Sequence, residues 1–186
     1  YSIGPWQPSV SPQEYAGAVA RIRDYIAAGD TYQVNYTFRL RTGFQGDPWP
    51  FFGRLCRAQR GQYSAYIDTG DWVICSASPE LFFSLDQGVL VSRPMKGTAA
   101  RGLAFHQDVQ LREGLRRSAK DRAENAMIVD MMRNDMGRVA EPGSVIVESA
   151  FDVEKYPTLY QMTSTVRART AESFGRIVEA LFPCAS

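Results

Sequence analysis

Four groups of side chains in this sequence have the types and spacing that chemistry requires. The first is Lys96, in "SRPMKGTAARG" between Pro94 and Gly97. The proline fixes the approach of the chain and the glycine permits close backbone contact. A lysine held this way becomes a nucleophile when desolvation or a nearby cation lowers its pKa. The motif follows two apolar segments, "LFFSLD" and "GVLVSR", and reads as a turn where a strand ends. Taken alone, a turn lysine is more often an idle surface charge.

The second group is Glu80, directly after Pro79 and the small residues Ser76, Ala77 and Ser78. A carboxyl among small residues and buried strands holds its proton to higher pH and works as an acid. The plain alternative is an exposed acid at a turn. The third is Asp121 with Glu124, three apart on a helical pattern and therefore on one face, which Ile128 and Met131 continue. Such a pair suits Mg²⁺, which takes one or two carboxylates and keeps several waters. The alternative is a helix cap, with Ser118 as N-cap and Asp121 at the capping-box position, plus one surface acid. The fourth is Gln33 and Asn35, on one side of the alternating stretch "TYQVNYTFRLR". Amides are poor strand formers, so the pair lines a polar cavity or simply faces solvent. Thr98 adds a hydroxyl beside Lys96. In "RNDMGRVAEPGS", Arg133, Asn134 and Asp135 have the groups to tie a helix end to neighbouring backbone or to serve as ligands.

Several chemistries are excluded. His106 is the single histidine; no Ser-His-Asp arrangement is apparent, and no His or Cys lies near it in sequence to make a zinc site. There is no G-x-x-x-x-G-K-[ST] loop, and "GTAARG" is too short for a dinucleotide fingerprint. Charged residues make up 22% with a net charge of +1, so no global field draws in nucleic acid or an anionic membrane. Cys56, Cys75 and Cys184 are far apart and read as free thiols in a reducing compartment. With no apolar run of about 18 residues and no signal peptide, a cytoplasmic location is expected.

The elements that must position these groups follow from periodicity. Residues 11 to 29 form a helix with Ser11 as cap, Pro12 in the first turn, Glu14 completing a capping box and Gly29 as the stop. Residues 31 to 41 alternate as a strand. A short helix spans 48 to 59. Strands follow in "QYSAYID", "DWVICSA", "ELFFSLD" and "GVLVSR", joined by short turns that predict antiparallel pairing. A helical block covers about 107 to 138, then strands in "SVIVES" and "TLYQMTSTVRA", then a helix around 172 to 181. Strands in a run before the helices predict an α+β class. The 186 residues, 45% of them hydrophobic, suffice for one core. The opening without methionine and the stop at "LFPCAS" predict a piece of something longer.

The order of the motifs is more specific than any one of them. "GDTYQVNYTFR", "SASPELFF", "RPMKGTAARG", "KDRAENAMIVDMMRNDMGRV" and "QMTSTVRA" resemble the motifs of the chorismate-utilising enzymes in sequence, order and spacing, over nearly the whole chain. Within that family the resemblance is strongest to the first component of the aminodeoxychorismate synthases. Water-using members carry lysine where this chain has Gln33, and ammonia-using members carry glutamine. Anthranilate synthases typically have alanine where this chain has Lys96, and aminodeoxychorismate synthases have lysine.

The resemblance implies antiparallel sheets packed face to face with helices outside, of which residues 1–186 are an incomplete part. It implies that chorismate and ammonia are the substrates, with a glutamine amidotransferase subunit as the ammonia source, for p-aminobenzoate and folate synthesis. Lys96 is implied as the nucleophile and Glu80 as the general acid/base. Glu124 is implied as a Mg²⁺ ligand with Asp121 assisting through water, and Gly97, Thr98, Gln33 and Asn35 as pocket residues. Many members have histidine where this chain has Gln161, so no proton transfer is implied there. A second metal-binding glutamate is expected after Ser186, and the 186 residues alone are expected to be inactive. The other readings are an anthranilate synthase and, from a different class, a non-catalytic binding scaffold of the same fold.

Overall fold

The computed structural model describes residues 1–184. The chain divides into two compact units, Tyr1–Phe51 and Phe52–Ser186.

In the first unit, β1 (Ser2–Ile3) pairs with β4 (Phe44–Gln45), and β2 (Gln7–Pro8) pairs with β3 (Leu40–Arg41), both antiparallel. Between them lies α1 (Pro12–Ala28). Its ends form as its sequence requires. Ser11 Oγ accepts the Glu14 N–H at 3.2 Å while the Glu14 carboxylate accepts the Ser11 N–H at 2.7 Å. Gly29 closes the helix in the left-handed region. Tyr1, Phe44 and Phe51 pack as one aromatic cluster, and Tyr15 packs on Tyr36 and Phe38. The expected strand over 31–41 is a strand only at Leu40–Arg41. Alternation assigns side chains to faces, but a strand exists only where a second backbone supplies ladder bonds. Here β2 supplies them at residues 40 and 41 alone.

The helix α2 (Pro48–Gln59) leads into the second unit. There β5 (Tyr63–Asp68) and β6 (Val73–Ser78) form one antiparallel hairpin, and β7 (Leu81–Asp86) and β8 (Val89–Arg93) another. Gln87 and Gly88 both have positive φ, the geometry of the tight two-residue hairpin turn. Next come β9 (Met95–Ala100), α3 (Phe105–Arg117) and α4 (Ala119–Gly137). Then follow β10 (Ile146–Lys155), β11 (Leu159–Arg169) and α5 (Phe174–Leu181). The α+β class with antiparallel sheets holds.

Three details correct the sequence expectation. Lys96 lies within a strand, not a turn. The helical block is two helices, broken at Ser118, which is extended and serves as C-cap of α3 and N-cap of α4. Met131 is 40% exposed, because the buried stripe of α4 runs through Asn125, Ile128, Val129, Met132 and Met136 instead.

The central strand is β11. On one edge it pairs with β10, and on the other with β8 near its end and β9 near its start. Thus β8 and β9 lie end to end along one strand, with the buried Pro94 between them. Proline has no N–H to give a ladder, and its carbonyl accepts the Ser164 N–H at 3.2 Å. The main core lies where Val129, Met132 and Met136 of α4 meet Leu90, Val166, Ala168 and Ile177. A smaller one gathers Leu115, Tyr160 and Met162. Among the described residues, no helix is long and apolar enough to cross a membrane.

Candidate active site

Several of the predicted groups of the second unit gather at the start of β9. The backbone N–H of Met95 donates to Glu80 Oε1 at 3.0 Å, which seats that carboxyl beside the neighbouring Lys96. Glu80 is fixed from its own side too: its N–H donates to Ser78 Oγ at 3.1 Å. The carboxyl borders a hollow of about 150 Å³ with Leu81, Phe82, Pro94 and Met132. Loss of water there raises the Glu80 pKa, outweighing the Met95 hydrogen bond and the Lys96 charge, which pull it down. Glu80 as a residue is exposed at a bend, the plain alternative, and the upward shift comes from the shielding of its carboxyl at the hollow.

Gly97 has φ +99°, a backbone conformation that side chains disfavour. A Cβ on it would lie 2.9 Å from Asp121 Cβ, so its bareness lets β9 close on α4. Thr98 Oγ1 donates to Gln161 Oε1 at 3.1 Å across the β9–β11 ladder. The structure therefore brings together Glu80, Lys96, Gly97, Thr98, Gln161 and Asp121.

Asp121 is half-buried, and its N–H donates to Ser118 Oγ at 3.2 Å. Glu124, one turn on, faces Lys120 Nζ at 3.6 Å and keeps 41% of its side chain exposed. Among the described residues, no three His, Cys, Asp or Glu side chains cluster as a metal site. Two hard oxygen donors one turn apart fit an ion that takes one or two carboxylates and fills the rest of its shell with water.

Gln33 and Asn35 lie in the first unit, with Gln33 Nε2 donating to Asn35 Oδ1 at 3.5 Å. The predicted helix-end ties take another form. Arg133 pairs with Asp130, Asn134 bonds Asp135, and it is Arg138 that reaches the Ala180 carbonyl at 3.1 Å. Sequence reasoning missed two features. Asn125 is fully buried, and its signal was a polar residue on the apolar stripe of α4. Arg93 pairs with Glu154, which also accepts from Thr163 Oγ1 and the Tyr156 hydroxyl. Burial, with the Glu154 charge, pushes the Tyr156 pKa up to about 12.

The sequence profile of the chorismate binding enzymes matches residues 2–186. The chain belongs to the chorismate-binding enzyme family. It is 46% identical over 164 residues to aminodeoxychorismate synthase component 1 of Klebsiella aerogenes, covering 88% of this chain and 36% of that protein. It is 34% identical to anthranilate synthase component 1 of Aquifex aeolicus, covering 96% of this chain and 36% of that one. Among solved structures, anthranilate synthase component I of Streptococcus pneumoniae superposes with a TM-score of 0.84 at 30% identity, over 97% of this chain and 39% of that one. A 2,3-dihydroxybenzoate-specific isochorismate synthase of Bacillus anthracis shares the fold, with a TM-score of 0.81 at 19% identity over 98% of this chain and 51% of that one. The chain thus spans about two fifths of the length of the curated relatives it matches first.

Proposed function

We propose that these residues are part of the chorismate-binding domain of an aminodeoxychorismate synthase component I, acting in the cytoplasm with a glutamine amidotransferase subunit that supplies ammonia. The observation that carries this reading is the Met95–Glu80 hydrogen bond. It seats a carboxyl of raised pKa beside Lys96. Relatives at 39–46% identity bearing that name support the choice of product.

In the proposed reaction the Lys96 amine forms a bond to C2 of the chorismate ring. Both ring double bonds shift and the C4 hydroxyl departs as water, taking a proton from Glu80. Ammonia then bonds to C4, both double bonds return, the Lys96 amine is expelled, and Glu80 takes back a proton from the new ammonium group. Two easier displacements replace one hard one. Thr98, Gly97, Gln33 and Asn35 serve as pocket residues. Glu124, with Asp121 through water, would hold Mg²⁺, which supplies positive charge opposite the ring carboxylate.

The test uses the full-length protein with chorismate, ammonia and Mg²⁺, followed by product analysis. The expected product is 4-amino-4-deoxychorismate, and anthranilate as sole product overturns the assignment. Lys96→Ala is expected to lower the rate with ammonia at least ~10²-fold, the scale of losing a group that acts in the transition state. An unchanged rate removes Lys96 from the chemistry.

A further inference from the structure

The pairing of β9 with β11 changes register at the site. Thr163 faces Met95 and Gln161 faces Thr98. Between these pairs β9 has two residues, Lys96 and Gly97, where β11 has one, Met162. This two-against-one count is a β-bulge, which interrupts the ladder and re-aims the side chains it carries. The positive φ of Gly97 belongs to the same distortion. A bulge leaves backbone polar groups without ladder partners, and burying them unsatisfied is costly.

Asn125 of α4 lies over this point. Its Nδ2 donates to the carbonyl of Lys96 at 3.4 Å and to the carbonyl of Met162 at 3.3 Å. These are the bulged residue and the residue it faces. The amide is itself oriented. Asn125 Oδ1 accepts the Ser164 hydroxyl proton, and Ser164 Oγ accepts the Phe151 N–H at 3.1 Å. Asn125 and Ser164 are both fully buried. One uncharged side chain therefore replaces the missing ladder bonds and fixes the bulge to the helix that carries Asp121 and Glu124.

We propose that Asn125 is a positioning residue that pins the β9 bulge and so sets the direction in which the Lys96 amine leaves the strand. Ser164 holds Asn125 in the donating orientation. This rests on Lys96 being the nucleophile. An amide suits the role because it has two donors for two carbonyls. An aspartate has the same shape but turns oxygens toward oxygens.

The experiment compares wild type, Asn125→Asp, Ser164→Ala and the double variant in the full-length enzyme. It measures kcat, the KM for chorismate, and Tm. Asn125→Asp is expected to lower kcat about 10- to 100-fold, the scale of a displacement near 1 Å, with KM changed less than about threefold. Ser164→Ala is expected to lower kcat about two- to fivefold, and the double variant to be no slower than Asn125→Asp, since the two act as one unit. A folded Asn125→Asp with kcat within about twofold of wild type overturns the proposal, as does a loss that only follows the folded fraction. Should Asn125→Asp fail to fold, Ser164→Ala decides: wild-type kcat overturns the proposal, and reduced kcat at unchanged KM and Tm supports it. Lys96→Ala separates the two readings. If it keeps the wild-type rate, the function itself is wrong. If it is inactive while the Asn125 and Ser164 variants are normal, only the positioning role is wrong.

Discussion

The two ends of β9 are held by opposite means. At its far end Arg101 grips Asp108 with two hydrogen bonds of 2.7 Å, and the Tyr160 hydroxyl joins at 2.8 Å. The Gly102 N–H completes that clamp at 2.9 Å. At its near end the backbone is held by the neutral amide of Asn125 and by the bare Cα of Gly97 against Asp121. A clamp of full charges is strong but fills its surroundings with field. A neutral amide holds the bulge at Lys96 without adding another charge of that kind beside it. The strand thus has an ion-pair anchor at one end, while at the other, its working end, the Met95 N–H is held by the Glu80 carboxyl and the bulge by a neutral amide.

Glu80→Gln breaks the working end most severely. The turnover is expected to fall ~10²- to 10⁴-fold, the range of a positioned acid. The wild-type rate should decline as pH rises through the raised Glu80 pKa, and the variant should lack that limb. The stability effect has the opposite sign. A folded pKa above the unfolded one means that Glu80 favours the native state below the unfolded value and loses that favour as pH rises through the folded value. The variant should therefore match or exceed the wild-type Tm at neutral pH, with the difference vanishing in acid. A pH–rate profile and melting curves across the same range check both halves.

Gly97→Ala comes next. The new methyl would meet Asp121 Cβ at 2.9 Å in a backbone with φ +99°. Strain of this kind costs about 1–3 kcal/mol, and a shift of β9 away from α4 relieves it at the expense of Lys96. The expected result is a lower Tm together with about 10-fold slower turnover. A melting curve and kcat measured on the same preparation check it, and full activity at wild-type Tm would show that β9 and α4 do not need their contact.

Much of this architecture was legible because the signals are local. The Ser11–Glu14 box, the Gly29 stop and both hairpins are written in adjacent residues. The bulge was not legible, because it is defined by counting β9 against β11, more than 60 residues downstream. "PMKGT" reads as a turn for that reason: its proline and glycine are turn residues that here mark an interrupted strand and a bulge. The stretch 31–41 shows the reverse error, since alternation is visible but the partner strand is not. Asn125 lay in view within "RAENAMIVD". Its neighbours Asp121 and Glu124 carried the obvious chemistry, and only the position of the buried stripe shows that the amide points inward. The family resemblance pointed to candidate site residues without revealing how the backbone holds them.

Asp108→Asn should have the least effect on turnover, and so it tests the comparison from the anchored end. The paired hydrogen bonds from Arg101 hold the Asp108 carboxyl well below the usual range, outweighing the loss of water around it. A folded pKa depressed in this way contributes stability above the unfolded value, and that stability is lost as pH falls through the folded value. The variant keeps the shape but loses the charge, leaving Arg101 without its counter-ion. Its Tm should be below wild type at neutral pH, and the gap should narrow as pH drops below the ordinary aspartate range. At a temperature where both are folded, kcat and the KM for chorismate should stay within about twofold of wild type, because Asp108 touches no part of the bulge. A fall in kcat comparable to that of Gly97→Ala would mean that strain passes along the strand from Arg101 to Lys96, and that anchor and working end are one device.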